Sequence, residues 1–362
     1  MIKSPLKIRG LRVRAVNVPM TQPHRTASGT IAESPLVLTD VLTDEDVVGH
    51  SYVFCYGSYA LKPTALLIKA LEPFIVGQPL APFEIERLLA ARFRLLGPQG
   101  LTGIATAAID MALWDALARS QRLPLVRLLG AAPKAIPAYG AAGYDGADGS
   151  ARVAAEWVER GFKGVKAKIG YPSVREDVEV VRAMRRVVGD GVALMVDYNQ
   201  SLATADAIVR AHRLDDEGLT WIEEPTLADD YAGHARIASD TRTPIQCGEN
   251  WWGPHDLQKA IAAGASDYVM PDVMKIGGVT GWLRASALAE AHGLRVSNHL
   301  FVEISTHLLC ATPTAHWLEY AEWFNPIIAR PLSIKDGCAV LDEQPGSGVE
   351  WNEDAVKRYL VE

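Results

Sequence analysis

Carboxylates end three successive apolar segments in the middle of the chain, spaced at about the length of one strand–helix unit. Asp197, Glu223 and Glu249 close the segments VALMVD, LTWIE and PIQCGE. In a (β/α)8 barrel the carboxyl ends of neighbouring strands meet at one mouth, so these acids are expected to lie together. Carboxylates at such short range repel one another unless a cation lies between them, and Mg²⁺ prefers oxygen ligands. The spacing predicts a magnesium site, although any single acid could instead cap a helix or face solvent.

Two lysines, Lys166 and Lys168, lie one predicted strand earlier, in GVKAKIG. Residues separated by one share a face of a strand, so both amines are expected to point into the mouth. Like charges lower each other's pKa, and a nearby dication does the same, which favours a neutral amine that accepts a proton. Salt bridges to the neighbouring acids are the alternative interpretation, and they are compatible with catalysis.

The later strand ends carry a second set of polar residues. Asp272 and His299 follow the sixth and seventh predicted strands, where a carboxylate bonded to an imidazole would create a general base. Glu319 lies among apolar neighbours in HWLEY. Burial would keep it protonated and able to donate to a developing oxyanion, and a buried ion pair is the alternative. Asn199 is expected to contact a substrate oxygen or else to close a local turn.

Together these residue types predict removal of the proton next to a substrate carboxylate. A metal and Lys166 would neutralise that carboxylate and stabilise an enediolate. Lys168 and His299, acting from opposite faces, would let a proton leave on one side and return on the other, which is racemisation. The same geometry allows loss of a β-hydroxyl if the conjugate acid of one base protonates the leaving group.

The elements that must position these residues follow two patterns. Period-two alternation followed by helical segments predicts an α+β unit over residues 1–132. The polar stretch TQPHRTASGTIAESP is expected to form a mobile loop between the first two strands. Short apolar strands then alternate with amphipathic helices, which predicts an α/β fold with a (β/α)8, TIM-like barrel over 133–325. The tail, 326–362, is expected to return to the first unit.

Composition narrows the class of protein. A chain of 362 residues accommodates a barrel and a second domain, and a net charge of -7 argues against a nucleic-acid surface. No apolar stretch approaches the length of a membrane span, and the four cysteines form no C-x-x-C pair. We therefore expect a cytoplasmic enzyme with a small carboxylate substrate and with neither nucleic acid nor membrane as a partner.

The chain resembles the enolase superfamily and, within it, mandelate racemase and its relatives. The resemblance rests on VKAKIGYP, MVDYNQSL, WIEEPTL, GENWWGP, MPDVMKIGGVTGW and ATPTAHWLE. It implies an α+β capping domain over the barrel and a symmetric homo-oligomer, with an octamer as one form. It also implies Mg²⁺ on the three acids, Lys168 as one base with Lys166 as the carboxylate partner, a His299–Asp272 dyad as the other base, and Glu319 as the electrophilic acid.

Substrate contacts implied by the resemblance fall on the early loop and the segment after it: His24, Ser28, Ile31 and Tyr56. The loop is more polar than one suited to an aromatic ring, and Ala141 stands where a hydroxyl-bearing residue is expected. The leading expectation is a Mg²⁺-dependent racemase of a 2-hydroxy carboxylate, mandelate or a close analogue. The alternative is a dehydratase of a sugar acid or a tartrate-like diacid.

Overall fold

The computed structural model describes residues 6–27 and 29–361, so Ser28 lies outside the described residues. The N-terminal capping domain pairs an antiparallel sheet in the order β1-β2-β3 with a layer of helices. The strands are β1 (Ile8–Thr26), β2 (Gly29–Thr43) and β3 (Val48–Phe54). The helices are α1 (Ser58–Ile75), α2 (Pro82–Arg92), α3 (Leu101–Ser120) and the short α4 (Leu125–Leu128).

Helix α3 is the central helix of this domain. Its length and apolar composition would allow it to cross a membrane, but 78% of its most apolar 18-residue stretch is buried inside the molecule. Gly49 of β3 allows the close approach, because a Cβ there would lie 2.1 Å from the carbonyl oxygen of Ala112. The apolar surface of α3 is therefore used in core packing.

The second unit is a barrel of parallel strands alternating with helices, as the sequence predicts. Its strands are β4 (Ile136–Ala142), β5 (Gly164–Lys168), β6 (Ala193–Asp197), β7 (Trp221–Glu223), β8 (Ile245–Cys247), β9 (Tyr268–Val269), β10 (Arg295–Val296) and β11 (Leu318–Glu319). Its helices are α5 (Gly146–Glu159), α6 (Val174–Val188), α7 (Thr204–Leu214), α8 (Tyr231–Asp240), α9 (Gly253–Ala263), α10 (Gly278–Ala291) and α11 (Val302–Ala311).

Closure of the barrel joins its last strand to its first. β11 pairs with β4 in parallel, and the backbone N–H of His316 donates to the carbonyl of Val296 at 2.7 Å. The α/β fold with a TIM-like barrel and a capping domain is thus confirmed. The boundaries after residues 132 and 325 remain predictions.

One expectation about a connecting segment was wrong. The polar stretch after Pro19 is not an open loop: β1 and β2 continue as a hairpin, with His24 paired to Ile31 and Thr26 to Gly29. Backbone pairing needs no apolar alternation, so the polar composition concealed these strands. In the tail, β12 (Ser333–Lys335) and β13 (Cys338–Val340) extend the barrel sheet beside β4. The segment after them contacts the capping domain: the backbone N–H of Gly346 donates to the Leu123 carbonyl at 3.0 Å and that of Ser347 to Asp115 Oδ1 at 2.6 Å. After α12 (Glu353–Tyr359), the Val361 N–H donates to Ala15 of β1.

Candidate active site

Neighbouring strand ends bring three carboxylates together. Asp197 and Glu223 are the last residues of β6 and β7 and are paired in register, and Glu249 follows β8. One carboxylate oxygen from each lies within 4.8 Å of the others. All three side chains are buried, and Glu249 Oε2 has no hydrogen-bond partner among the described residues. Hard oxygen donors with one buried acceptor that carries no hydrogen bond fit a Mg²⁺ ion.

Hydrogen bonds from neighbours orient two of these acids. Asp197 accepts the backbone N–H of Asn199 at 2.7 Å and its side-chain amide at 3.2 Å. Glu223 accepts the indole N–H of Trp221 at 3.0 Å. Burial raises the pKa of Glu223, and Lys166 only partly opposes this. Burial would also raise the pKa of Asp197, but Lys168 and Lys166 outweigh it and lower that pKa.

Both lysines of β5 point at the acids, as their shared face predicts. Lys166 Nζ lies 2.6 Å from Glu223 Oε1 and 2.6 Å from Glu319 Oε1, and Lys168 donates to Asp197. Burial would lower the pKa of Lys168, and the charge of Lys166 acts in the same direction, as expected. The charge of Asp197 outweighs both effects, so the pKa is raised. The expected neutral amine is therefore not favoured while the carboxylates carry their full charge.

The predicted dyad forms. His299 Nδ1 lies 2.7 Å from Asp272 Oδ2, and a backbone bridge joins the two residues. On its other edge, His299 Nε2 lies 3.4 Å from Glu249 Oε2. Burial would lower the pKa of His299, but Glu249 and Asp272 raise it. The imidazole is thus fixed by Asp272 and directed towards the acidic triad.

Glu319 takes part in a buried ion pair, one of the two arrangements that the sequence left open. Burial would raise its pKa, but Lys166, His299 and Lys168 lower it to about 2. Its two oxygens accept from Lys166 and, at 3.2 Å, from the backbone N–H of Leu300. The buried ion pair that the sequence left open as an alternative is the observed arrangement, and a protonated Glu319 is not favoured here.

A cavity of about 330 Å³ opens beside these groups. Lys168, His299 and Glu319 all line it, together with Ala141, Leu300 and Trp323. Of the predicted substrate contacts, His24 lines it as well, whereas Ile31, Tyr56 and Asn199 are not among its described lining residues. Ile31 is half-buried on β2, and Tyr56 is 37% exposed. Asn199 lies beside Asp197, and its Oδ1 is buried without a partner among the described residues.

His24 is a polar residue in an enclosed position. Its side chain is buried, and its ring centroid lies 4.8 Å from that of Trp323. Burial, followed by the charge of Lys168, lowers the pKa of His24 to about 3. A neutral imidazole therefore faces the cavity and can both donate and accept a hydrogen bond.

Sequence reasoning missed one buried polar group beside the triad, formed by Glu224, Asn250 and Lys275. Glu224 and Asn250 directly follow the predicted ligands Glu223 and Glu249, and Lys275 lies three residues after Asp272. That adjacency was the available signal. Their burial depends on turns that the sequence pattern does not specify.

Comparisons with known proteins agree with this architecture. Residues 8–130 match the family described as "Mandelate racemase / muconate lactonizing enzyme, N-terminal domain", and residues 149–355 match "Enolase C-terminal domain-like". The capping domain, the barrel and the acidic triad define an enzyme of the enolase superfamily with Mg²⁺ as its cofactor. Within that class, the chain belongs to the mandelate racemase/muconate lactonizing enzyme family.

Its relatives carry out different reactions. The chain is 35% identical over 333 residues to L-talarate/galactarate dehydratase of Salmonella typhimurium, covering 90% of this chain and 82% of that protein. It is 30% identical over 361 residues to 3,6-anhydro-alpha-L-galactonate cycloisomerase of Streptomyces coelicolor, covering 98% and 99%. A solved enolase from Bradyrhizobium, complexed with magnesium and mandelic acid, has 43% identity and a TM-score of 0.96 over 100% of both chains. Dehydratases and isomerases therefore both occur among its relatives.

Proposed function

We propose that the protein is a Mg²⁺-dependent racemase of a 2-hydroxy carboxylate, mandelate or a close analogue. The observation that carries this proposal is that Lys168 and His299 line one cavity together with Glu319. The two bases reach that cavity from β5 and from the segment after β10, which β4 and β11 separate around the barrel. A substrate between them would have its α-proton within reach of one base on each face.

Each residue has a separate part in the proposed reaction. Bound by Asp197, Glu223 and Glu249, Mg²⁺ would offset their charge and stabilise negative charge on the substrate carboxylate. Lys168 and the His299–Asp272 dyad would remove and return the α-proton through an enediolate. Lys166, with no exposed surface, would hold Glu319 in place and add positive charge near the substrate carboxylate.

The mandelate-like substrate has support from the cavity and from a relative. Leu300, Ala321 and Trp323 give part of the lining an apolar character that suits an aromatic ring. The Bradyrhizobium enolase was crystallised with mandelic acid and is 43% identical to this chain. These observations favour an aromatic 2-hydroxy acid as the first substrate to test.

Proton NMR in D₂O tests the proposal. A single enantiomer of mandelate, or of a ring-substituted analogue, is incubated with enzyme and Mg²⁺. We expect loss of the α-proton signal together with appearance of the opposite enantiomer on a chiral column. If no aromatic 2-hydroxy acid exchanges its α-proton or changes hand, the racemase proposal fails.

A dehydratase of a sugar acid or tartrate-like diacid is the second candidate. It is favoured by the neutral His24 in the cavity wall and by the charged groups Asp145, Arg160 and Glu322 further along it. These groups could bind the hydroxyls or the second carboxylate of a longer polar substrate. The 35% identity to L-talarate/galactarate dehydratase points the same way.

A substrate screen separates this candidate from the first. Acids that carry a 3-hydroxyl are incubated with enzyme and Mg²⁺, and 2-keto product is detected with semicarbazide. A keto product from one acid, with no enantiomer interconversion of mandelate, would favour the dehydratase. No product from any 3-hydroxy acid would remove it.

A further inference from the structure

A buried lysine that the proposed reaction does not use lies one side chain away from the acidic triad. Lys275 is 6% exposed, and its Nζ donates to Asn250 Oδ1 at 2.5 Å. A lysine is costly to bury unless its charge is compensated or has a role. Asn250, which accepts this hydrogen bond, in turn donates to Glu249.

Asn250 connects Lys275 to two carboxylates. Its Nδ2 donates to Glu224 Oε2 at 2.7 Å and to Glu249 Oε1 at 3.1 Å. With Lys275 on its carbonyl, the amide plane is fixed on both edges. One oxygen of Glu249 is thereby held, while the other, Oε2, has no hydrogen-bond partner among the described residues. The geometry orients a carboxylate whose second oxygen carries no hydrogen bond and lies 3.4 Å from His299 Nε2, where it can serve as a metal ligand.

Glu224 explains why such support is needed. It follows Glu223 directly, adopts a φ of +36° and is buried. Its Oε2 accepts from Asn250 at 2.7 Å, and its Oε1 has no hydrogen-bond partner among the described residues. Without the amide, the two buried carboxylates Glu224 and Glu249 would lose the donor that they share.

The capping domain reaches the same lysine. The ring centroid of Tyr56 lies 4.7 Å from Lys275 Nζ, a cation–π distance, and the ring also packs on Phe54 at 4.7 Å. Tyr56 lies between β3 and α1 with a φ of +57°. An aromatic side chain of one domain therefore covers a cation that supports the metal site of the other.

We infer that Lys275 and Asn250 are positioning residues that hold Glu249 for Mg²⁺, and that Tyr56 extends this support into the capping domain. The inference rests on the proposed ligand set of Asp197, Glu223 and Glu249, but not on which substrate reacts. Groups that orient a metal ligand typically change metal affinity by about 10- to 100-fold when they are removed.

Calorimetric titration of the metal-free protein with Mg²⁺ tests the inference without any substrate. Lys275→Met and Asn250→Ala are each expected to weaken Mg²⁺ binding by about 10- to 100-fold. With the substrate found in the screens above, both variants should need more Mg²⁺ for half-maximal rate, while kcat at saturating Mg²⁺ stays within a few-fold of wild type. Lys259→Met is the matched control, because that lysine is exposed on α9 and its ion-pair partner among the described residues is Asp256.

Glu249→Gln distinguishes the proposed Mg²⁺ ligand set from the positioning role of Lys275 and Asn250. If it leaves Mg²⁺ affinity unchanged, the proposed ligand set is wrong. If it abolishes binding while Lys275→Met and Asn250→Ala bind Mg²⁺ as wild type does, only the positioning role is overturned.

Variants of Tyr56 provide a second test if Lys275→Met and Asn250→Ala do not fold. Tyr56→Leu removes the ring from Lys275 and is expected to weaken Mg²⁺ binding several-fold, whereas Tyr56→Phe keeps the ring and should retain wild-type affinity. Equal Mg²⁺ affinity in Tyr56→Leu and wild type would contradict the contribution of the capping domain.

Discussion

Lys166 has no exposed surface and contacts Glu223 and Glu319 at 2.6 Å each. At this scale the site consists of buried charges that compensate one another, so removing one leaves its partners uncompensated. The same compensation sets the pKa directions: Lys166, His299 and Lys168 lower the pKa of Glu319, and Asp197 raises the pKa of Lys168. Residues outside this group are better positions for testing single contributions.

His24 is one such position. His24→Val removes a buried donor and acceptor from the cavity wall, so we expect kcat/KM for mandelate to rise relative to that for tartrate. The ratio should change by about tenfold, since a buried polar group left unpaired costs about 1–3 kcal/mol. His24→Asn, which keeps hydrogen-bonding atoms, is the control. An unchanged ratio in His24→Val would mean that the imidazole does not contact the substrate.

Asp40 gives a prediction about stability and pH. Burial would raise its pKa, but His50, then Trp351 and Arg12, lower it from 3.8 to about 2. A folded-state pKa below the unfolded value stabilises the protein above about pH 4, and this stabilisation is lost as pH falls towards 2. Its size is about 2 kcal/mol. Asp40→Asn should therefore unfold at lower urea concentration at pH 6, with a difference from wild type that shrinks between pH 4 and 2. If the difference in unfolding free energy between Asp40→Asn and wild type did not change with pH, the ionised Asp40 carboxylate would not be the source of this stability.

At the scale of elements, the barrel was predictable because its buried parallel strands are short apolar segments, and β5, β6, β7 and β11 end in a charged residue. That pattern also located Asp197, Glu223 and Glu249, since register pairs successive strand ends. The hairpin around His24 was not predictable in the same way, because its backbone pairing needs no apolar alternation in the sequence. The contact of β13 with β4 was missed because a short edge strand carries no sign of its partner.

Packing of β3 against α3 leads to a prediction at this scale. Gly49→Ala would place a methyl group 2.1 Å from the Ala112 carbonyl oxygen and 2.6 Å from Ala116 Cβ, so strand and helix would have to separate. We expect a loss of about 1–3 kcal/mol or more in the free energy of unfolding. Gly191→Ala, which meets nothing within 4 Å, is the control. Urea unfolding measures both, and equal stabilities would show that the contact is not tight.

At the scale of the whole molecule, buried polar contacts join the capping domain to the barrel. Asp110 of α3 accepts from the backbone N–H of Thr280 at 3.0 Å and from its hydroxyl at 2.5 Å, in the first turn of α10. Tyr52 of β3 donates to Glu303 of α11 at 2.7 Å. With Tyr56 over Lys275, these contacts make the metal site part of a two-domain unit.

Mg²⁺ is accordingly expected to stabilise the folded protein. At a free concentration 100 times the Kd, binding to the native state alone contributes about 2.7 kcal/mol, so the Tm should rise with added Mg²⁺ and return with EDTA. Glu223→Gln should lose most of this Mg²⁺-dependent rise, whatever its own Tm. A rise of equal size in Glu223→Gln and wild type would place the ion elsewhere.

Hydrogen exchange by two variants tests the central claim of opposed bases most directly. In D₂O with Mg²⁺ and each enantiomer of a racemised 2-hydroxy acid, Lys168→Ala and His299→Asn should each lose racemisation by about 10²- to 10⁴-fold. Each variant should still exchange the α-proton of one enantiomer, and the two should exchange opposite ones, as followed by proton NMR. Exchange of the same enantiomer by both variants, or racemisation at the wild-type rate by either, would contradict the account.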